Sequence, residues 1–444
     1  MAACLLTGCG IYGKYTRPDM EIEAQYRHAE NTADTATIAS LSWREFFTDT
    51  CLQALIEHGL QRNTDLQIAH LKVEEAEAVL MNTRLSYLPA LSLSPEADVG
   101  RYVGNTSKTY RIAASASWEL DIFGKNTNAR RGASAALDGS RDYVQAVQTR
   151  LIATIADSYY TLLMLDRQFN IGKQTLESWE KSIRTLEALK RAGKANDAAV
   201  LQARANRIAL ESSILALRKS IADTENSLTA LLALPSQHIA RGTLLETTLP
   251  ESVSVGIPVQ LLANRPDVRQ AERNLAQAFY ATNAARAAFY PNISLSGMLG
   301  WTNNSGGSIL NPGHWLLNAI GSLTQPLFNK GTNIANLKIA EARQEEAKLQ
   351  FRQSLLDAGK EVNDALVQCQ TSKRQIELGE LQITTLHEAV RKTELLMHHS
   401  SSTYLEVLTA QQSLLDAQQK QSQYCFDYIQ SLINLYHTLG GGVN

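Results

Sequence analysis

Two stretches of this 444-residue chain repeat one another, and that duplication limits the possible folds more than any single motif does. Asp65-Leu66 leads to Tyr87-Leu88-Pro89-Ala90-Leu91-Ser92-Leu93-Ser94, and Asp267-Val268 leads to Phe289-Tyr290-Pro291-Asn292-Ile293-Ser294-Leu295-Ser296. The Asp-to-Pro distance is 24 residues in both. Phe123 before Gly124-Lys125 then matches Phe328 before Asn329-Lys330-Gly331. Val200-Leu201 matches Val407-Leu408 and Leu228 matches Leu435, these last pairs 207 positions apart. The expected plan is an N-terminal segment over 1–62 and a first repeat over 63–234 with a β-hairpin at 90–122. A linker at 235–262 and a second repeat over 263–440 with a hairpin at 291–327 complete it.

Each copy contains a tract suited to very long helices. None of the ten prolines lies between Glu96 and Leu234 or between Leu327 and Asn444, so the strongest helix breaker is missing from both tracts. Leu355, Val362, Cys369, Ile376, Ile383, Val390 and Met397 are spaced by seven without a miss. Ile155, Leu162, Phe169, Leu176 and Ile183 do the same in the first copy. A sustained heptad predicts coiled-coil packing with a left-handed supercoil. The companion positions Ala358, Ala365, Ser372 and Gly379 are small and let neighbouring helices approach closely. Long helices are expected at about 126–192 and 332–399, broken at Gly193 and at Ser400-Ser401-Ser402. Shorter ones should follow at about 196–234 and 403–440. A helix of 67 residues is about 100 Å long, far beyond a globular domain, which predicts an elongated helical tube with strands at one end.

The strands alternate. Ile112, Ala114, Ala116, Trp118, Leu120 and Ile122 face one way, and Arg111, Ser115, Ser117, Glu119 and Asp121 the other. Leu91, Leu93, Ala97, Val99 and Val103 form a second apolar row, Ile293, Leu295, Leu299 and Trp301 a third, and Trp315, Leu317, Ala319 and Leu323 a fourth. Period-two alternation means a sheet that is apolar on one side and wet on the other. Strand lengths of about 11–14 residues suit a bilayer crossing better than a soluble sandwich, whose strands average about 5–6. Aromatics gather at both ends, Tyr102, Tyr110, Trp301 and Trp315 near the turns and Tyr87, Phe123, Phe289 and Tyr290 near the helices, as in the paired girdles of outer-membrane barrels. The longest unbroken apolar run is the six residues Met1 to Leu6, which excludes a helical membrane bundle but not a barrel. Four strands cannot close a barrel alone, and lipid tolerates no open edge. Two copies would supply eight strands and three would supply twelve, the latter with the wider lumen.

At the N-terminus, Leu6-Thr7-Gly8-Cys9 resembles a bacterial lipobox, in which cleavage leaves the cysteine as the acylated first residue. The expected modification is therefore a covalent lipid, such as palmitate, on Cys9. The basic n-region and apolar core of a full signal are missing from this start. Catalytic signatures are missing too. Gly124-Lys125 lacks the rest of a phosphate loop, His387-Glu388 lacks the second histidine of a zinc helix, and neither a Gly-x-Ser-x-Gly elbow nor a Cys-x-x-Cys pair occurs. His398 and His399 diverge by about 100° on a helix and make no metal pair. A net charge of −2 argues against a nucleic-acid partner. The expectation is a protein that is not an enzyme and has no cofactor or metal.

The chain resembles the TolC/OprM-like outer-membrane factors, which include the NodT-type efflux lipoproteins. The resemblance runs from Cys9 to Gly442 and is carried by Trp43-Arg44-Glu45-Phe46-Phe47, Trp118-Glu119-Leu120-Asp121-Ile122-Phe123-Gly124 and Arg265-Pro266-Asp267-Val268. Further carriers are Ala284-Ala285-Arg286-Ala287-Ala288-Phe289-Tyr290-Pro291 and Leu435-Tyr436 with Leu439-Gly440-Gly441-Gly442. It implies a mainly α protein with a transmembrane β-barrel: a homotrimer whose protomers each give four strands to a 12-strand barrel and long coiled-coil helices to an α-barrel tunnel. The N-terminal segment and the 235–262 linker would form an equatorial collar. The implied function is that of a passive exit duct in the outer membrane of a Gram-negative bacterium, lipid-anchored and projecting into the periplasm. Its implied partners are a periplasmic adaptor (membrane fusion) protein and an inner-membrane RND-type or ABC-type transporter that expels drugs. A duct for type I protein secretion is the alternative within the class, and a soluble coiled-coil scaffold the alternative outside it. By the same resemblance Leu405 and Thr409 would narrow the periplasmic end. Thr409 stands where this branch has an aspartate, which puts a charged gate in doubt. Ala192, Gly193, Lys194, His399, Ser400 and Ser401 would form the tips that meet the adaptor, with Ser400 in place of the family's glycine.

Overall fold

The computed structural model describes residues 12–19, 41–102, 105–193, 195–244, 265–302, 314–398 and 404–442. The helices are α1 (Trp43–Phe46), α2 (Thr50–Arg62), α3 (Thr64–Leu85), α4 (Lys125–Arg191), α5 (Asp197–Leu231), α6 (Pro266–Ala287), α7 (Thr332–His398) and α8 (Tyr404–Thr438). Four strands complete the list: β1 (Ala90–Tyr102), β2 (Asn105–Leu120), β3 (Asn292–Thr302) and β4 (His314–Thr324). The duplication is visible in the lengths. Helices α3 and α6 both have 22 residues, α4 and α7 both have 67, and α5 and α8 both have 35. Helix α3 ends at Leu85, four residues before Pro89. Pro89 disfavours helical backbone at the residue before it, so the last residues form a turn instead. Strand β2 begins at Asn105, six residues earlier than the clean alternation suggests.

The chain divides into two compact units that do not follow the repeats. One gathers Met1–Glu21, His70–Tyr143 and Asp267–Ser354; the other gathers Ile22–Ala69, Val144–Pro266 and Leu355–Asn444. Each unit therefore draws on both copies.

In the first unit the strands form one antiparallel sheet in the order β1-β2-β3-β4. The register puts Leu93 opposite Ala114, Ala114 opposite Leu299 and Leu299 opposite Leu317, one apolar row across all four strands. Two rows further on, the same face joins Trp118 to Leu295. On the other face Ser92 and Ser115 share a hydrogen bond of 2.7 Å, Ser294 and Ser322 one of 2.6 Å, and Arg111 pairs with Glu96. Among the described residues nothing covers the apolar face: Leu91 is 79% exposed, Trp315 76% and Leu317 82%. Trp301 and Trp315 meet edge to face at 6.0 Å, and Phe123 stacks on Tyr290 at 5.0 Å.

The strand-to-helix junction is built by side chains of the Trp118–Gly124 motif. Trp118 Nε1 donates to Tyr87 O at 2.8 Å, and the Asp121 carboxylate accepts from the backbone N–H groups of Asn126 and Thr127, capping α4. Gly124 has φ +74°, a left-handed conformation that glycine adopts without penalty. The packing below is conventional: Leu80, Ala133 and Leu137 form a buried cluster, flanked by Val73 and Ala76.

In the second unit the heptad positions are buried in part. Ile155, Leu162 and Val362 are fully buried, whereas Phe169, Leu176, Cys369, Ile376, Ile383, Val390 and Met397 are half-buried. A Cβ on Gly379 would stand 2.0 Å from Gln421 Oε1, so that side chain lies directly over the small companion position. The remaining family motifs act as fasteners here. Phe46 stacks on Tyr436 at 4.3 Å, Tyr436 donates to Leu41 O at 2.8 Å, and Gly441 lies against the Tyr436 ring where a Cβ would collide. Buried Arg265 reaches Thr438 O at 3.2 Å and Glu361 at 2.7 Å.

The sheet supplies a stringent test of its own register. A Cβ on Gly300 would lie 2.2 Å from Ile112 O and 2.7 Å from Ala113 Cα, whereas one on Gly297 would meet nothing closer than Asn318 O at 3.7 Å. Gly300→Ala is expected to deplete the protein recovered from isolated outer membranes, and Gly297→Ala to leave recovery unchanged, as read by immunoblotting of membrane fractions. Equal recovery of both variants would contradict this register.

Candidate functional site

Helix α8 opens with two side-chain pairs on adjacent faces. Tyr404 and Leu408, one turn apart, pack with Ile183, Leu186, Val200 and Ala203 in a buried cluster of the second unit. Leu405 and Thr409, the next pair round, point away from it: Leu405 is 62% exposed and Thr409 is exposed. Leu405 thus contributes little to packing among the described residues. The Thr409 hydroxyl donates to Leu405 O at 2.8 Å. The pair makes an uncharged, exposed surface at the start of α8.

At the α4–α5 reversal, Gly193 has φ +72° with open space around its Cα, and its N–H donates to Lys190 O at 3.0 Å. Ala192 precedes it in the same turn. Asn196 caps α5 through a bond from Ala199 N at 2.9 Å, and Lys190 pairs with Asp197 at 2.5 Å across the turn. Arg204 bonds Glu187 at 2.6 Å and holds that carboxyl below its usual range. These contacts make the reversal a capped, charged turn. Lys194, His399, Ser400 and Ser401 lie outside the described residues, as does Cys9.

One constellation lies outside every motif singled out in the sequence. Arg241, with a side chain only 7% exposed, sits between two helices. Its Nε and Nη2 donate to Asp166 of α4 at 2.5 and 3.1 Å, and its Nη1 donates to Glu225 of α5 at 2.5 Å. Glu225 also accepts from Ile239 N at 3.3 Å and meets His238 Nδ1 at 2.7 Å. Burial pushes the Glu225 carboxyl up, but the bonds from Arg241 and Ile239 outweigh it and hold the carboxyl below its usual range. Nearby, Tyr159 donates to Asp49 at 2.6 Å and accepts from Gly242 N at 3.1 Å. The linker is therefore clamped to α4 and α5. Residues 75 and 16 positions apart share no local pattern, so nothing in the sequence marks this clamp.

Among the described residues there is no group of acidic, cysteine or histidine side chains arranged to hold a metal ion, and no helix long and apolar enough to cross a membrane. What the geometry provides is a sheet with one exposed apolar face and paired helices of 67 residues. Those features define a subunit of an outer-membrane channel. A family model described as outer membrane efflux protein matches residues 55–234 and 257–441, and the chain belongs to that family. It is 32% identical to the cation efflux system protein CusC of Escherichia coli K12, over 99% of this chain and 98% of that protein. It is 31% identical to the probable outer membrane lipoprotein SilC of Salmonella typhimurium, over 99% and 96%. Among solved structures, a CusC crystal structure superposes with a TM-score of 0.90 at 30% identity, covering 98% of this chain and all of that one. The open-state MtrE channel of Neisseria gonorrhoeae gives 0.89 at 27% identity, covering 98% and 99%. The protein is thus an outer-membrane efflux channel of the bacterial outer membrane, and its family is one of channels rather than enzymes.

The clamp has a measurable consequence. Arg241→Ala leaves two carboxylates facing each other with their cation gone, and is expected to cost about 3 kcal/mol at neutral pH. Because Glu225 is held below its unfolded value, the clamp's contribution is present above the unfolded carboxylate range and is lost as pH falls through the depressed value. Thermal unfolding in detergent should therefore separate wild type from Arg241→Ala widely at pH 7.5, and by progressively less as the pH falls below the unfolded carboxylate range.

Proposed function

We propose that the chain is the exit duct of a tripartite efflux system, passing drugs or other small molecules from a periplasmic adaptor and an inner-membrane RND-type or ABC-type transporter to the exterior. The observation that carries this reading is the open four-stranded sheet. Each outer strand, β1 and β4, has one edge without a described partner, and the apolar face is uncovered. In lipid those edges must pair. Three copies give twelve strands and a lumen lined by the Ser92, Ser115, Ser294 and Ser322 face. The relatives named for cation efflux and for outer-membrane lipoprotein character agree in class. Similarity to a cation system does not carry cation selectivity here, because Thr409 is uncharged and its hydroxyl is engaged within its own helix.

In this reading Leu405 and Thr409 ring the periplasmic end as its constriction. Ala192, Gly193 and Lys194, with His399, Ser400 and Ser401, form the adaptor-contact tips, and Cys9 carries the lipid anchor. A trimer axis passing along the exposed Leu405–Thr409 face narrows the lumen with three leucines and three threonine methyl groups. Ions then meet an apolar rather than an electrostatic barrier.

Replacing Leu405 and Thr409 together by alanine or glycine is expected to raise single-channel conductance in planar bilayers, with little change in the ratio of cation to anion permeability. Unchanged conductance would remove both residues from the constriction. For the anchor, metabolic labelling with palmitate is expected to mark the protein and to be abolished by Cys9→Ser. The barrel should remain in the outer membrane in that variant, since strand insertion does not depend on the lipid.

A further inference from the structure

Between α4, α7 and α8, within the second unit, lies a pocket of about 190 Å³ whose lining includes Thr175, Ser178, Trp179, Glu394, Gln411 and Gln418. A heptad seam at this level would ordinarily be dry, with apolar knobs filling the space. Here it is polar, and two of its lining side chains are deeply buried with a polar atom left over. Trp179 is 2% exposed and its Nε1–H has no hydrogen-bond partner among the described residues; Gln411 is 6% exposed and its Oε1 has none either. The other end of Gln411 is engaged, its Nε2 donating to Glu394 at 3.2 Å and to Ser182 at 3.5 Å. A donor and an acceptor are thus orphaned beside the same pocket, and an unmade bond to a buried polar group carries the full desolvation penalty.

We propose that this pocket is a bound-water site, in which ordered waters accept from Trp179 Nε1 and donate to Gln411 Oε1, joining α4 to α8 through solvent. Polarity and size both fit. A water needs about 10–15 Å³ of such space and two to four polar partners, while cavities that stay empty are apolar. The indole of Trp179 is otherwise held by Leu210, Ile214 and Leu415, so only its N–H edge requires a mobile partner. Gln411 lies about two turns beyond the start of α8, on the face turned towards α4. At this level the segment bearing the proposed constriction is therefore tied to the long helix by exchangeable bonds as well as by the Trp179–Leu415 contact. The hydration site itself does not depend on the constriction reading.

The test uses the full chain in detergent or nanodiscs. A map at a resolution that resolves ordered water is expected to carry density within hydrogen-bond distance of both Trp179 Nε1 and Gln411 Oε1. An empty pocket, or one filled by a side chain of a second copy, would overturn the proposal. Radiolytic footprinting gives an independent reading, because bound water generates hydroxyl radicals beside the groups that hold it. After normalisation for intrinsic reactivity, Trp179 is expected to be oxidised several-fold faster than the equally buried Tyr160, which is 1% exposed. Gln411→Leu should bring Trp179 down to the Tyr160 level. Wild-type Trp179 protected as fully as Tyr160 would overturn the site even where the variant fails to fold.

Discussion

Everything distinctive in this chain answers to one requirement, that backbone N–H and C=O groups in a bilayer find partners without water. The strands meet it among themselves along β1-β2-β3-β4, but a four-stranded sheet leaves two edges and one uncovered apolar face. A soluble protein would cover that face with a helix. Here an apolar row runs across all four strands, from Leu93 through Ala114 and Leu299 to Leu317, so lipid is the matching solvent for that face. In the duct proposed above, further copies supply the partners that the two sheet edges need in lipid.

Below the sheet, equal helix lengths in the two copies carry a consequence. With α4 and α7 at 67 residues and α5 and α8 at 35, a duplicated subunit presents pseudo-equivalent helix pairs. Local differences between the copies are then where function can differ. The first-copy reversal uses Gly193 in a left-handed turn, stiffened by the Lys190–Asp197 pair. The second-copy helix opens with Leu405 and Thr409 on a free face while Tyr404 and Leu408 hold the core. An i, i+4 spacing does both jobs at once, one pair anchoring the turn that displays the other.

Polar groups inside this apolar framework are few and specific. The Arg241–Asp166–Glu225 clamp fastens the linker to two helices, and Arg265 does the same for the end of α8 through Thr438 O and Glu361. Such buried charges add little net stability when intact, yet removing one partner is costly, so they act mainly as specifiers of geometry. The pocket beside Trp179 and Gln411 belongs to the same category, with solvent in place of the opposite charge.

Much of this was legible in the residues. Heptads at Leu355 to Met397 and Ile155 to Ile183, period-two alternation in the strands, and the repeated Asp-to-Pro spacing are local periodicities, so the sequence by itself determined the helices, the strands, their facing and the duplication. The exposed placement of Leu405 and Thr409 was legible only through family resemblance, since an i, i+4 pair could equally have been core. Asp166, Glu225 and Arg241 belong to no sequence motif, because their partnership spans 75 positions and has no sequence signature. Likewise, no pattern distinguishes a Gln411 that lines a pocket from one that faces water. Only the tertiary structure decided these, as well as the division into two units that each mix both repeats. The physical reason is common to all of them: periodicity reports which face of an element is apolar, while pairings between distant elements depend on the register in which those faces finally meet.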